Sequence, residues 1–134
     1  MSLEAALIHS KSGMLAQGAR MNVVASNIAS ANAESSTVGG AYKAKKIIFS
    51  NELDRVSGLT VLKANQVVQS QAPHKMRYDP NSPLSDENGY VHGSNVSVVE
   101  EMTDLMSATK SYETNIQVAT AVKQLMSKTL QMGK

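Results

Sequence analysis

Both ends of this sequence carry large apolar residues at helical spacing, and the middle does not. Leu7, Met14, Met21 and Ile28 recur every seventh residue. Met102, Leu105, Tyr112, Ile116, Ala119, Met126 and Leu130 follow steps of three, four or their sum. Residues three and four apart share one face of an α-helix, and a seven-residue repeat keeps that face on a neighbour. The spacing predicts two long terminal helices held by other helices. It predicts a mainly α fold with a small β segment. The terminal helices pair as an antiparallel coiled-coil-like hairpin, and a short β-hairpin and loop are inserted between them.

The first helix is expected from residue 3 to about residue 31, roughly 40 Å of rod. Gly13 and Gly18 each cost about 1 kcal/mol inside a helix relative to Ala, so they are read as points of close helix contact. The polar run Ser30 to Ser36 ends the pattern, since such side chains compete for backbone hydrogen bonds. After Gly39-Gly40, β-prone runs are expected at 42–49, 59–62 and 66–70, with Ser57-Gly58 as a turn. Residues 72–95 hold all three prolines of the chain and the turn pair Asn88-Gly89, so they read as an irregular loop pinned by Tyr78 and Tyr90.

The second helix opens on Ser97-Val98-Val99-Glu100, which fits a capping box. Glu100, Glu101 and Asp104 suit the positive end of its dipole, and Lys123, Lys128 and Lys134 suit the other. Gly133 is a plausible stop, giving a rod of roughly 52 Å. This helix has a second apolar face at Val99, Met106, Val118, Val122, Leu125 and Met132. A helix apolar on two sides is buried on two sides, so further subunits are expected to cover it. Lys123 falls at a core-type position of the heptad, where a charge fixes register or snorkels to the surface.

Composition narrows the function classes. The 134 residues imply one domain, and one Phe, four Tyr and no Trp suit helix seams better than a thick core. Eight Met fit adaptable seams. A net charge of +2 gives no electrostatic case for polyanion binding over the whole surface. The absence of Cys removes disulfides, thiolate metal sites and Cys nucleophiles. His9, His74 and His92 are dispersed, without metal-ligand spacing. Asp86-Glu87 and Glu100-Glu101 read as a turn and a helix cap before an acid/base pair. Neither a nucleophile elbow nor a phosphate loop occurs. No catalytic, cofactor or metal residue is assigned. No run of about 20 apolar residues spans a membrane, and the N-terminal stretch lacks signal-peptide character. Lys43, Lys45 and Lys46 form the one basic cluster, a solvated strand face or a contact for an acidic partner. An enzyme, a nucleic-acid binder and a cytoplasmic helical-hairpin adaptor or export chaperone stay open on these grounds alone.

The motifs then become specific. Arg20-Met21-Asn22-Val23-Val24-Ala25-Ser26-Asn27-Ile28-Ala29-Ser30-Ala31-Asn32 resembles the N-terminal signature of bacterial flagellar rod and hook proteins. Residues 39–49, from Gly39-Gly40-Ala41-Tyr42 to Phe49, resemble the Gly-Gly-Pro-Tyr-Arg-Arg region of proximal-rod members. Tyr78-Asp79-Pro80-Asn81-Ser82-Pro83, Asn88-Gly89-Tyr90-Val91 and Asn95-Val96 resemble their loop. Val99-Glu100-Glu101-Met102 and residues 108–115 resemble their last helix. Ser30, Ala41, Ser82, Ser94 and Lys110 depart from the usual pattern.

The resemblance implies a structural subunit of the proximal rod, self-assembling helically with other rod proteins into the periplasmic drive shaft that carries torque to the hook. It implies type III export without a cleaved signal. The implied partners are copies of itself, neighbouring rod proteins and the export-gate and MS-ring base, with peptidoglycan or surrounding ring proteins as further candidates. Nucleic acid and a direct membrane span are not implied. Residues 1–35 and 96–134 would form the inner tube and 36–95 the outer segment. The expected subunit interface comprises Leu7, Met14, Met21, Ile28, Met102, Leu105, Tyr112, Ile116, Val118, Val122, Leu125, Met126 and Leu130. The family-motif residues are Asn27, Asn32, Tyr78, Pro80, Gly89, Tyr90 and Asn95.

Overall fold

The computed structural model describes residues 2–133. Helix α1 runs Leu3–Ala29 and helix α2 runs Val98–Met132, with five short strands between them in sequence. The strands are β1 (Glu34–Ser35), β2 (Lys45–Leu53), β3 (Thr60–Gln69), β4 (Met76–Tyr78) and β5 (Tyr90–Gly93). The predicted mainly α chain with a small β segment is the fold observed.

The helix ends follow from local chemistry. The Ser2 hydroxyl accepts the Ala5 amide at 3.1 Å and caps α1, a signal the apolar pattern does not carry. Ser97 stands at the N-cap of α2, and its carbonyl accepts the Glu101 amide at 3.0 Å. Glu100 and Glu101 lie in the first turn of α2, where the dipole favours them. Lys134, expected at its far end, lies outside the described residues.

Two strand expectations change. The runs at 59–62 and 66–70 are one strand, β3, paired with β2 as a two-stranded sheet. Lys63, Ala64 and Asn65 are weak strand formers alone, and the β2 ladder carries them. The Ser57-Gly58 turn forms as expected: Gly58 has φ +69° and its amide donates to Asp54 O at 2.8 Å. The region read as an irregular loop contains β4 and β5, which join β1 in an antiparallel sheet of order β1-β5-β4. These strands are too short for an alternation to show in sequence. Their pairing is fixed by partners distant along the chain.

The chain divides into two compact units. The first takes Met1–Met21, Ile47–Gln66 and Met106–Lys134. The second takes Asn22–Lys46 and Val67–Leu105. In the first unit the helical segments run antiparallel: Gly13 abuts the Asn115 carboxamide, and the Thr109 hydroxyl lies 3.6 Å from Met21 Sδ. Its buried side chains include Ala5, Ser10 and Ala16 on α1, Val61 on β3, and Ala108, Ala119 and Val122 on α2, none larger than valine. The second unit has a core of Ala31, Ala44 and Val96 with Tyr42 packed against it, and Val91 is fully buried.

Candidate functional site

In the second unit the motif asparagines are cross-links. Asn27 sits near the end of α1 and is almost wholly buried. Its carboxamide oxygen accepts the Tyr42 hydroxyl at 3.0 Å and the Lys45 amide at 2.9 Å. Its nitrogen donates to Lys45 O at 2.7 Å and to Glu101 Oε2 at 3.0 Å. The side chain thus meets its full complement of two acceptor and two donor positions. It also supplies a partner to a carboxylate only 6 % exposed. Asn95 does the same work further along: its oxygen accepts the Ala44 amide, and its nitrogen donates to Ser70 O and Ala72 O at 3.3 and 3.1 Å. Ser94, a departure from the family pattern, is buried and donates to Ala31 O. Asn32 is exposed.

The other motif residues converge on one turn. Tyr78 and Tyr90 are register partners on β4 and β5, with ring centroids 5.2 Å apart in edge-to-face geometry. Gly89 has φ +83°, and a Cβ there would sit 2.9 Å from Tyr78 Cε2 and 3.2 Å from Pro80 Cβ. Both the backbone and the packing demand glycine. Asp86 staples the turn: Oδ1 accepts the Asn88 and Tyr90 amides, and Oδ2 lies 3.0 Å from His92 Nε2. The Tyr90 amide above all, with His92 and the Asn88 amide adding, holds the Asp86 carboxyl below the ordinary aspartate value despite partial burial. His92 Nδ1 is buried without a partner among the described residues, and Nε2 faces the Asp86 carboxylate. Sequence reasoning passed over this pair because its partners lie six residues apart on a turn, a spacing no ligand template uses.

The helix faces sort differently from the apolar count. On α1, Leu7, Met14, Met21 and Ile28 are half-buried, and the deepest residues are Ala5, Ser10, Ala16, Val24 and Asn27. On α2, Leu105 and Tyr112 are half-buried. Met102, Ile116, Val118, Leu125, Met126 and Leu130 are exposed. Val122, placed by periodicity on a face for neighbours, is 6 % exposed and belongs to the interior of its own chain. The residues of α2 that turn inward, Glu101, Ala108, Asn115 and Val122, also recur every seventh position, yet two are polar and none is larger than valine among the apolar ones. That heptad was visible in the sequence and hidden by its composition. Gly13 is the close contact expected of it, whereas a Cβ at Gly18 would meet nothing within 4 Å.

Among the described residues, no group of three or more His, Asp or Glu side chains gathers to hold a metal, and no helix is long and apolar enough to cross a membrane. His74 Nδ1 lies 3.0 Å from Gly93 O.

Comparison with known proteins matches residues 87–132 to the flagellar basal body rod FlgEFG protein C-terminal family. The chain is 44% identical over 125 residues to the flagellar basal-body rod protein FlgC of Salmonella typhimurium, covering 92% of each chain. It is 42% identical over 123 residues to that of Escherichia coli O157:H7, again covering 92% of each. Against that of Agrobacterium fabrum it is 36% identical over 124 residues, covering 92% of this chain and 89% of the relative. The comparisons give no support to an adaptor or export chaperone. With motif residues that cross-link the fold and similarity that runs nearly end to end, the chain belongs to the flagellar basal-body rod protein FlgC family.

Proposed function

We propose that this structural rod subunit works by assembly, its large apolar side chains completing their burial only against neighbouring subunits. One observation carries the reading. Small residues fill the seam within the chain, while Met102, Met106, Ile116, Val118, Leu125, Met126 and Leu130 stand exposed along α2. Large apolar side chains left in water mark an interface. Copies of the chain and adjacent rod proteins are the partners of these side chains, and half-buried Leu7, Met14, Met21, Ile28, Leu105 and Tyr112 complete their burial in the same contacts. Repeated contacts between unlike surfaces do not close, so they build a helical tube. Residues 1–35 and 96–134 form its inner wall and 36–95 its outer layer, in the periplasmic rod reached by type III export. The export-gate and MS-ring base lies below, and peptidoglycan or ring proteins face the outer layer. Torque is shared over many seams, and the role asks no bond chemistry and no cofactor of any residue.

Leu130→Asp and Met102→Asp test this. Both positions are exposed in the single chain, so the circular dichroism of the purified variants is expected to match the parent. Motility and rods in electron micrographs of basal bodies are expected to be lost. A motile strain with intact rods would sink the proposal.

A further inference from the structure

Lys123 is an exposed charge at a core-type heptad position of α2. It shares a heptad-spaced stripe with Ile116, Met126 and Leu130, all exposed in the single chain. From Lys123 to the end of α2 no residue is buried, so nothing among the described residues covers these turns. Covering the stripe takes Lys123 out of water as well, and a desolvated ammonium requires an anion. No acidic residue follows Glu113 in the sequence, so α2 cannot supply one from this end.

The same unit holds a groove that meets both demands. It has a volume of about 460 Å³, with Ile8 and Leu15 of α1 on one side and Val61 and Leu62 of β3 on the other. Leu15 stands at its mouth, 67 % exposed. Among the described residues, Asp54 is the only anion in its lining. The carboxylate accepts the Ser57 hydroxyl at 2.7 Å and the Val56 amide at 3.3 Å. Ser57 foremost, then the Val56 amide, holds it below the usual aspartate value and keeps it charged. Of the two lysines in the lining, Lys63 is bridged to Glu52 at 2.9 Å and Lys11 lies exposed on the helical rim.

We propose that the α2 face bearing Ile116, Lys123, Met126 and Leu130 docks into this groove on a second copy of the chain, with Lys123 paired to Asp54. The apolar side chains fill the groove, and its one anion meets the one charge on the stripe. Groove and stripe are different surfaces of one copy, so each docking leaves a free groove and a free stripe, and the contact propagates instead of closing. The inference rests on the rod reading and deepens it by naming which surfaces of two copies meet.

The absence of cysteine makes the test clean. In a strain whose only copy carries Leu15→Cys and Met126→Cys, basal bodies are treated with a bismaleimide and the chain is followed on denaturing gels. Dimers and higher multiples are expected from the double variant, and monomer alone from each single variant. Adding Asp54→Asn, which keeps an oxygen to accept the Val56 amide and removes the charge, is expected to lower the yield of multiples severalfold. Monomer alone from the double variant, in basal bodies that contain the chain, would overturn the docking and leave the rod reading standing. Basal bodies without the chain even when it carries neither cysteine would overturn the rod reading and the docking with it. An unchanged yield with Asp54→Asn would overturn the pairing of Lys123 with Asp54.

Discussion

In the unit built from residues 22–46 and 67–105, the deepest side chains include Asn27, Ser94 and Glu101, and hydrogen bonds tie them to segments far away in sequence. In the unit built from 1–21, 47–66 and 106–134, the buried side chains include Ala5, Ser10, Ala16, Ala108 and Ala119 and nothing larger than Val61 and Val122, and large side chains such as Leu15 and Leu130 face water. The first arrangement specifies one packing, because each directional bond is lost if the pairing shifts. The second brings helix backbones close yet gains little from burial, since alanine removes little apolar surface from water. The helix seam of the second leaves large side chains such as Leu15 and Leu130 outside it, and in the assembly proposed above these are what a neighbour covers.

The sharpest way to break this contrast is Asn27→Ala. It strips partners from Tyr42, from both backbone groups of Lys45 and from the buried Glu101 carboxylate. A cost of about 3–5 kcal/mol in urea denaturation is expected, as for other buried networks losing a shared partner. A cost under about 1 kcal/mol would show that polar cross-links do not govern that unit. Gly18→Ala probes the other side. Nothing within 4 Å meets the new methyl, so the single chain is expected to gain about 0.5–1 kcal/mol from helix propensity. Reduced swimming in the same variant would place a neighbour against Gly18, and unchanged swimming would remove that position from the seam.

The smallest effect is the acid response of the Asp86 staple. Its folded value is depressed, so its contribution is complete above the ordinary value of 3.8 and is lost as pH falls through the lower folded value. The Tyr90 amide resonance is expected to titrate with a midpoint below 3.8 and to stop doing so in Asp86→Asn. A midpoint at or above 3.8 would mean the staple is not formed in solution.

Helices were legible because their period is written over many turns, and Ser97 and Gly58 mark their places by local chemistry. Strands β1, β4 and β5 were not, because two to four residues carry no period and their pairing depends on the fold. The motif residues could be picked out, but their roles could not: that Asn27 grips Lys45 from both sides, or that Gly89 makes room for Tyr78, follows only from distances. Periodicity found both faces of α2 but assigned the interior to the greasier one. Within the chain the inward heptad of Glu101, Ala108, Asn115 and Val122 prevails, because Gly13 admits close approach and Asn27 neutralises the cost of burying Glu101.

The grip of Asn27 on Lys45 has a mechanical side. One carboxamide holds the amide and the carbonyl of the same residue, so a pull along β2 loads two bonds in parallel, not one after the other. Slippage by a single position breaks both at once and presents Asn27 with a residue whose pleat points the opposite way. The joint therefore resists creep under sustained shear and yields only above a threshold, as a rivet does and a zip does not.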